Sequence, residues 1–209
     1  MNASVRRVER PALLGLVCAI AFGAAGLAGF SLWSQHAQRL AGPVTLVAET
    51  DEIADALADS PWTGSDSTGP IVWAFTAPDC ADCGRLDAAA VAALSQEEME
   101  IRMVVVAPRS APEADPAAAA LAESRDWTAL ERWAAGDAIA PVSADAAARE
   151  GYVEWGRASW DRVAAILREN DIDPRLPLLI WRRGPEWRVL PGGPAVTLDA
   201  VRRDMAVES

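Results

Sequence analysis

The 209-residue chain contains no lysine, one histidine and three cysteines. Its 19 basic side chains are therefore all arginine, which we attribute to compositional bias and not to function. A structural zinc site needs four Cys or His ligands, and a cysteine protease needs a histidine beside its nucleophile. Because His36 is far along the chain from the closely spaced pair Cys80 and Cys83, the sequence argues against both kinds of site.

The scarcity of cysteine also argues against a scaffold held together by disulfides. The third cysteine, Cys18, lies inside a long apolar run, where we interpret it as a small apolar side chain. Only one closely spaced pair of cysteines then remains in the rest of the chain, and a single pair of this kind does not hold a fold together through disulfides. Since 51% of the residues are hydrophobic, we expect an ordinary packed core.

The formal charge is strongly negative and unevenly distributed. Of the net charge of −11, residues 1–39 contribute +3, which leaves −14 for residues 40–209. A part this acidic repels phosphate backbones. The sequence therefore argues against nucleic acid as a partner.

Residues 11–33 are almost continuously apolar and carry no formal charge. As a helix, a segment of this length crosses a hydrocarbon core of about 30 Å. Three arginines precede it, so the positive-inside rule places residues 1–10 in the cytoplasm. We predict a single-pass anchor in the bacterial inner membrane that leaves residues 34–209 in the periplasm. A cleaved signal peptide, with its cleavage site near residues 26–28, is the alternative.

Periodicity predicts a juxtamembrane linker that runs into a first helix at 34–54, then one α/β domain over 55–209. The element order is β-α-β, a helical insertion, then β-β-α. Because a helix separates the first two strands, we expect them to be parallel, and the last two to form an antiparallel hairpin. The predicted elements are strand 71–76, a helix over about 80–94, strand 101–107, helices over about 113–170, strands 178–182 and 187–190, and a helix capped by Thr197.

The tetrad Cys80-Ala81-Asp82-Cys83 lies where the first predicted strand meets the first helix of the domain. Backbone N–H groups and the helix dipole stabilise a thiolate at such a helix start. Disulfide exchange needs one exposed thiolate and a second thiol that resolves the mixed disulfide. We predict that Cys80 is the nucleophile and Cys83 the resolving cysteine.

The element order, with the cysteine pair after the first strand and a proline before the third, resembles the thioredoxin fold, here with a helical insertion. More narrowly, Phe75-Thr76-Ala77-Pro78-Asp79-Cys80-Ala81-Asp82-Cys83 is similar to the active-site segment of the periplasmic Dsb disulfide isomerases of the DsbC and DsbG branch. The resemblance implies that Pro177 is a cis-proline beside the cysteines and that Leu176 pairs with substrate. It implies no cofactor besides the redox-active disulfide. A proline in trans at the strand entry is the alternative.

Two departures from the DsbC and DsbG pattern bear on function. Leu176 occupies the place before the proline where that branch usually has threonine, and the short segment after the apolar run leaves no room for an N-terminal dimerisation domain. In addition, Asp79 and Asp82 put negative charge near the sulfur, which raises the pKa of a thiol. We therefore predict a tethered single-domain protein that is a weak oxidant.

The sequence as a whole predicts a thiol–disulfide oxidoreductase, reductase-like or isomerase-like, that acts on exported cysteine-containing proteins. Its redox partner would be an electron donor or acceptor in the membrane. Two alternatives stay open, a dedicated reductase for one client such as apocytochrome c, and a chaperone or scaffold module without catalysis. The first is disfavoured because Asp79 stands where thioredoxins of cytochrome maturation usually have tryptophan.

Overall fold

The computed structural model describes residues 42–64, 68–78, 80, 82–94, 99–140, 142–193 and 196–206. The predicted membrane segment 11–33 lies outside these residues, as do residues 1–10, residues 34–41 of the linker, Asp79 and Ala81. Within the described ranges, no helix combines the length and apolar character that crossing a membrane would need. The membrane anchor therefore stays a prediction.

A mixed sheet forms the centre of the described part. In chain order its strands are β1 (Val44–Thr45), β2 (Thr63–Gly64), β3 (Ile71–Thr76), β4 (Glu100–Val105), β5 (Leu178–Arg183) and β6 (Glu186–Pro191). Their order across the sheet is β1-β6-β5-β3-β4-β2, and β3 is parallel to β4 but antiparallel to β5. The apolar sequence of β3 suits this central place, because both of its faces are covered.

Helices cover both faces of the sheet. They are α1 (Thr50–Ala58), α2 (Cys83–Leu94), α3 (Asp115–Ser124), α4 (Trp127–Ala134), α5 (Ala146–Glu169) and α6 (Leu198–Met205), with a 3₁₀ helix at Pro112–Ala114. The Asp145 side chain caps α5 by accepting a hydrogen bond from Ala147 N, and Thr197 caps α6 as predicted. The predicted β-α-β, helical insertion and β-β-α are thus confirmed.

The two edge strands, β1 and β2, are not predicted by the sequence pattern. Each has two residues, too few to show alternation, and each pairs with a longer strand, β1 with β6 and β2 with β4. At Gly64 in β2, a Cβ atom would collide with the carbonyl oxygen of Ile101. The close approach of these two strands therefore needs glycine.

Two cores lie on opposite faces of the sheet. Val72 and Ala74 of β3 belong to the first core, and Trp73 and Phe75 belong to the second. Helix α5 contributes to both, since its Val153 packs in the first core while residues about two to four turns later pack in the second. The middle of α5 therefore passes the carboxyl ends of β3 and β4, which is where the cysteine pair lies.

Candidate active site

Cys80 and Cys83 form a disulfide between the end of β3 and the start of α2, with Cα atoms 5.3 Å apart. The Cys80 N–H donates to the Ala77 carbonyl oxygen at 3.2 Å, and the Cys83 N–H donates to the Cys80 carbonyl oxygen at 3.0 Å. These bonds make a turn ahead of α2, so the helix begins at Cys83. The predicted start near Cys80 is therefore three residues too early.

The two sulfurs differ in accessibility. Cys80 is partly exposed, whereas Cys83 is only 1% exposed and points into the protein. A protein substrate can reach the first sulfur but not the second. This difference is what a nucleophile and a resolving cysteine require.

Pro177 lies at the same end of the sheet as the turn that carries the cysteines. The Leu176–Pro177 peptide bond is cis, and the Pro177 carbonyl oxygen accepts a hydrogen bond from Gly192 N at 2.8 Å. The antiparallel register between β3 and β5 ends with Phe75 opposite Leu178, so Leu176 and Pro177 precede β5 at the end of the sheet where β3 leads into the cysteine turn.

A cavity of about 290 Å³ opens next to Leu176. One of its walls is Trp160 of α5, whose ring packs against Phe75 with centroids 6.0 Å apart. The wall opposite comes from the segment that follows β4. The lining residues are Val106, Ala107, Pro108, Arg109, Arg157, Trp160, Asp161 and Leu176. Of these residues, Arg109, Arg157 and Asp161 are charged and the others are apolar.

Arg157 of α5 holds the helical insertion to this end of the sheet. Its Nε donates to the Ala107 carbonyl oxygen at 2.8 Å, its Nη2 to Asp115 at 2.8 Å and its Nη1 to Glu154 at 2.6 Å. The hydrogen bond from Arg157 has the largest effect on the pKa of Glu154 and lowers it. Desolvation, the next largest effect, opposes this shift, and the charges of Arg157 and Arg109 lower the pKa further. With a side chain only 12% exposed, Arg157 is largely buried among these partners.

The structure brings four predicted residues, Cys80, Cys83, Leu176 and Pro177, to one end of the sheet. Asp82 lies between the cysteines and is half-buried, whereas Asp79 lies outside the described residues. Their predicted effect on the Cys80 sulfur therefore stays a prediction.

Other residues of the site are not predicted by the sequence. Arg157 and Trp160 reach it from a helix far along the chain, and no local motif marks them. Thr76 is fully buried, yet its hydroxyl has no hydrogen-bond partner in the described part of the molecule. Among those same residues, no three or more His, Cys, Asp or Glu side chains are grouped so that they could hold a metal ion.

The chain resembles solved structures in its fold. No family model matches the sequence, and no curated protein matches it. Among solved structures, Proteus mirabilis ScsC in a compact conformation superposes with a TM-score of 0.50 and 14% identity, over 96% of this chain and 97% of that one.

Two other solved structures superpose with lower scores. The catalytic domain of Proteus mirabilis ScsC gives a TM-score of 0.46 and 18% identity, over 76% of this chain and 97% of that one. A periplasmic thioredoxin-like protein from Salmonella enterica serovar Typhimurium gives a TM-score of 0.45 and 16% identity, over 75% of this chain and 95% of that one. Together with the sheet order and the cis-proline, the match to ScsC at 0.50 shows that this chain has a mixed α/β thioredoxin-like fold.

Proposed function

We propose that the chain is a thiol–disulfide oxidoreductase that exchanges disulfides in exported proteins. The observation that carries the proposal is the Cys80–Cys83 disulfide, with one partly exposed and one buried cysteine at the start of a helix and at the same end of the sheet as Pro177. The thioredoxin-like fold supports it, and so does the cavity beside Leu176, which can receive a peptide side chain.

In the reducing direction, the Cys80 thiolate attacks one sulfur of a substrate disulfide. A Cys80–substrate disulfide forms, the substrate S–S bond breaks, and the other substrate sulfur leaves as a thiolate. Cys83 then loses its proton and attacks Cys80 Sγ, which forms the Cys80–Cys83 disulfide and releases the second substrate thiolate. Two electrons pass from the cysteine pair to the substrate, and oxidation of a substrate runs through the same steps in reverse.

We further propose that the domain works in the bacterial periplasm, held to the inner membrane by residues 11–33. The apolar run and the arginines before it support this location. An electron donor or acceptor in the membrane would restore the cysteine pair after each turnover. The likeness of residues 75–83 to the DsbC and DsbG branch supports the reductase or isomerase direction.

We expect the Cys80–Cys83 disulfide to be a weak oxidant. Negative charge near Cys80 disfavours its thiolate, and a less stable reduced form makes the disulfide less oxidising. We expect the reduction potential to lie well below that of DsbA, which is about −120 mV. Replacing Asp82 by asparagine is expected to raise the potential, as measured by equilibration with glutathione. A wild-type potential as high as that of DsbA would contradict this expectation.

Substrate trapping tests the function itself. In Cys83→Ala the first attack proceeds but no thiol resolves the product, so we expect mixed disulfides between Cys80 and envelope proteins to accumulate. Non-reducing gels and mass spectrometry detect them. The matched control is the double variant Cys80→Ser, Cys83→Ala, which is expected to trap nothing. A trap that stays empty in Cys83→Ala would favour the scaffold alternative.

A further inference from the structure

The hydroxyl of Thr76 is buried without a partner. Its residue has no exposed surface, and Oγ1 has no hydrogen bond within the described part of the molecule. Two other buried hydroxyls do have partners, since Ser60 Oγ donates to the Ala56 carbonyl oxygen at 2.8 Å and Thr63 Oγ1 donates to that of Leu121 at 2.6 Å. Because an unpaired buried hydroxyl costs free energy, its presence at one position needs an explanation.

The position of Thr76 in β3 shows which way its side chain points. Side chains alternate between the two faces of a strand, and Val72 and Ala74 point into the first core, where Leu86 and Ala90 of α2 also lie. Thr76 continues this alternation and therefore faces α2. It is the last residue of the strand, so its hydroxyl lies at the end of the sheet that carries the cysteines.

Cys83 occupies the matching place on the helix. It is the first residue of α2, and Leu86 and Ala90 follow it at spacings that keep all three on the face toward the sheet. In a β-α-β unit the helix runs back along the strand, so its first residue lies over the strand's end. Thr76 and Cys83 are thus both buried, on facing elements and at the same end of the layer.

We propose that the Thr76 hydroxyl donates a hydrogen bond to the Cys83 sulfur whenever that sulfur is not in the disulfide. The inference deepens the proposed function, because it assigns Thr76 a positioning role in the same exchange. A disulfide sulfur is a poor acceptor, whereas a thiolate is a strong one. In the oxidised form, where Cys83 Sγ is bonded to Cys80 Sγ, the hydroxyl has no partner among the described residues, and it gains one when reduction frees that sulfur.

The hydrogen bond acts at the resolving step. In the mixed disulfide, Cys83 must lose its proton before its sulfur attacks Cys80 Sγ and displaces the substrate thiolate. A hydrogen bond to the Cys83 thiolate lowers the pKa of this buried thiol and so raises the fraction that can attack. The proton passes to solvent or to the departing substrate thiolate, and the Thr76 hydroxyl keeps its own proton throughout.

The test compares Thr76→Val with Thr63→Val in the full chain. Valine has the shape of threonine without the hydroxyl. In Thr76→Val the reduced form loses a hydrogen bond while the oxidised form loses an unpaired hydroxyl, so we expect the equilibrium with glutathione to shift toward the disulfide. The expected shift is about tenfold, which equals about 30 mV for a two-electron couple.

The stability of each redox form is a second measurement. If Thr76 had a purely structural role, its replacement would change the stability of the oxidised and reduced forms alike. Thr76→Val is expected to leave the oxidised form as stable as wild type or more so, and to destabilise the reduced form. Thr63→Val removes a hydrogen bond that does not involve the cysteines, so it is expected to destabilise both forms alike and leave the potential unchanged. Thr76→Ser keeps a hydroxyl and is expected to stay within about twofold of the wild-type equilibrium.

The outcomes separate this inference from the proposed function. If wild type exchanges disulfides but Thr76→Val changes the stability of the oxidised and reduced forms equally, the Thr76 inference is wrong and the proposed function stands. If wild type does not exchange disulfides at all, the proposed function is wrong.

A measurement on the unaltered chain tests the inference even if the variant fails to fold. The Thr76 hydroxyl proton is expected to exchange slowly with water in the reduced form and to show a nuclear Overhauser effect to Cys83, and absence of both would overturn the inference.

Discussion

Replacement of Cys80 by serine is expected to abolish disulfide exchange. A serine hydroxyl forms no S–S bond and is not ionised at neutral pH, so neither the mixed disulfide nor the internal disulfide can form. Loss of a covalent nucleophile lowers turnover by about three orders of magnitude or more. Reduction of insulin by the full chain, followed by turbidity, measures the effect.

A matched control exists within the chain. Cys18→Ser changes a cysteine in the apolar run 11–33 and is expected to leave exchange unchanged, so it separates loss of the reactive thiol from loss of any thiol. Cys83→Ser is expected to keep the first attack but stall at the mixed disulfide. Activity of Cys80→Ser near the wild-type level would contradict an enzymatic role and would favour a scaffold.

Replacement of Arg157 by methionine is expected to cause the second large effect, on stability. Methionine retains much of the length of the side chain but none of its donors, so the Ala107 carbonyl oxygen and Asp115 lose their hydrogen bonds from α5. Because Arg157 is only 12% exposed, we expect a loss of about 2 kcal/mol in the free energy of unfolding. Chemical denaturation followed by tryptophan fluorescence measures it.

Arg162→Met is the matched control on the same helix. Arg162 pairs with Asp59 at 3.1 Å, but its side chain is 50% exposed and Asp59 is 71% exposed. An exposed pair contributes about 0–1 kcal/mol, so this variant is expected to unfold nearly as wild type does. If the two variants proved equally stable, Arg157 would not hold the insertion to the sheet.

The effect of Arg157 also depends on pH in a defined direction. Its hydrogen bond lowers the pKa of Glu154 in the folded chain, so the stabilisation is present above the ordinary glutamate pKa of about 4.3 and is lost as the pH falls through the lowered value. The stability difference between wild type and Arg157→Met is therefore expected to narrow in acid. A difference that widened below pH 4 would contradict this assignment.

Features that depend on neighbouring residues can be predicted from the sequence. Short apolar runs predict the strands at 71–76 and 178–182, and helical composition predicts the insertion, because these patterns lie within a few residues of one another. The tetrad at 80–83 predicts the reactive pair, since disulfide exchange needs two thiols at such a spacing. The two-residue edge strands are too short to carry such a pattern.

The surroundings of that pair depend on contacts that the sequence does not reveal. Arg157 and the carbonyl that it binds are 50 residues apart, and nothing local in either segment requires that they meet. The exposure of Cys80, the burial of Cys83 and the unpaired hydroxyl of Thr76 likewise depend on how α2 and α5 pack against the ends of β3 and β4. Burial and hydrogen-bond partners arise from contacts between distant segments, so the sequence predicts the two reacting cysteines and the fold determines their surroundings.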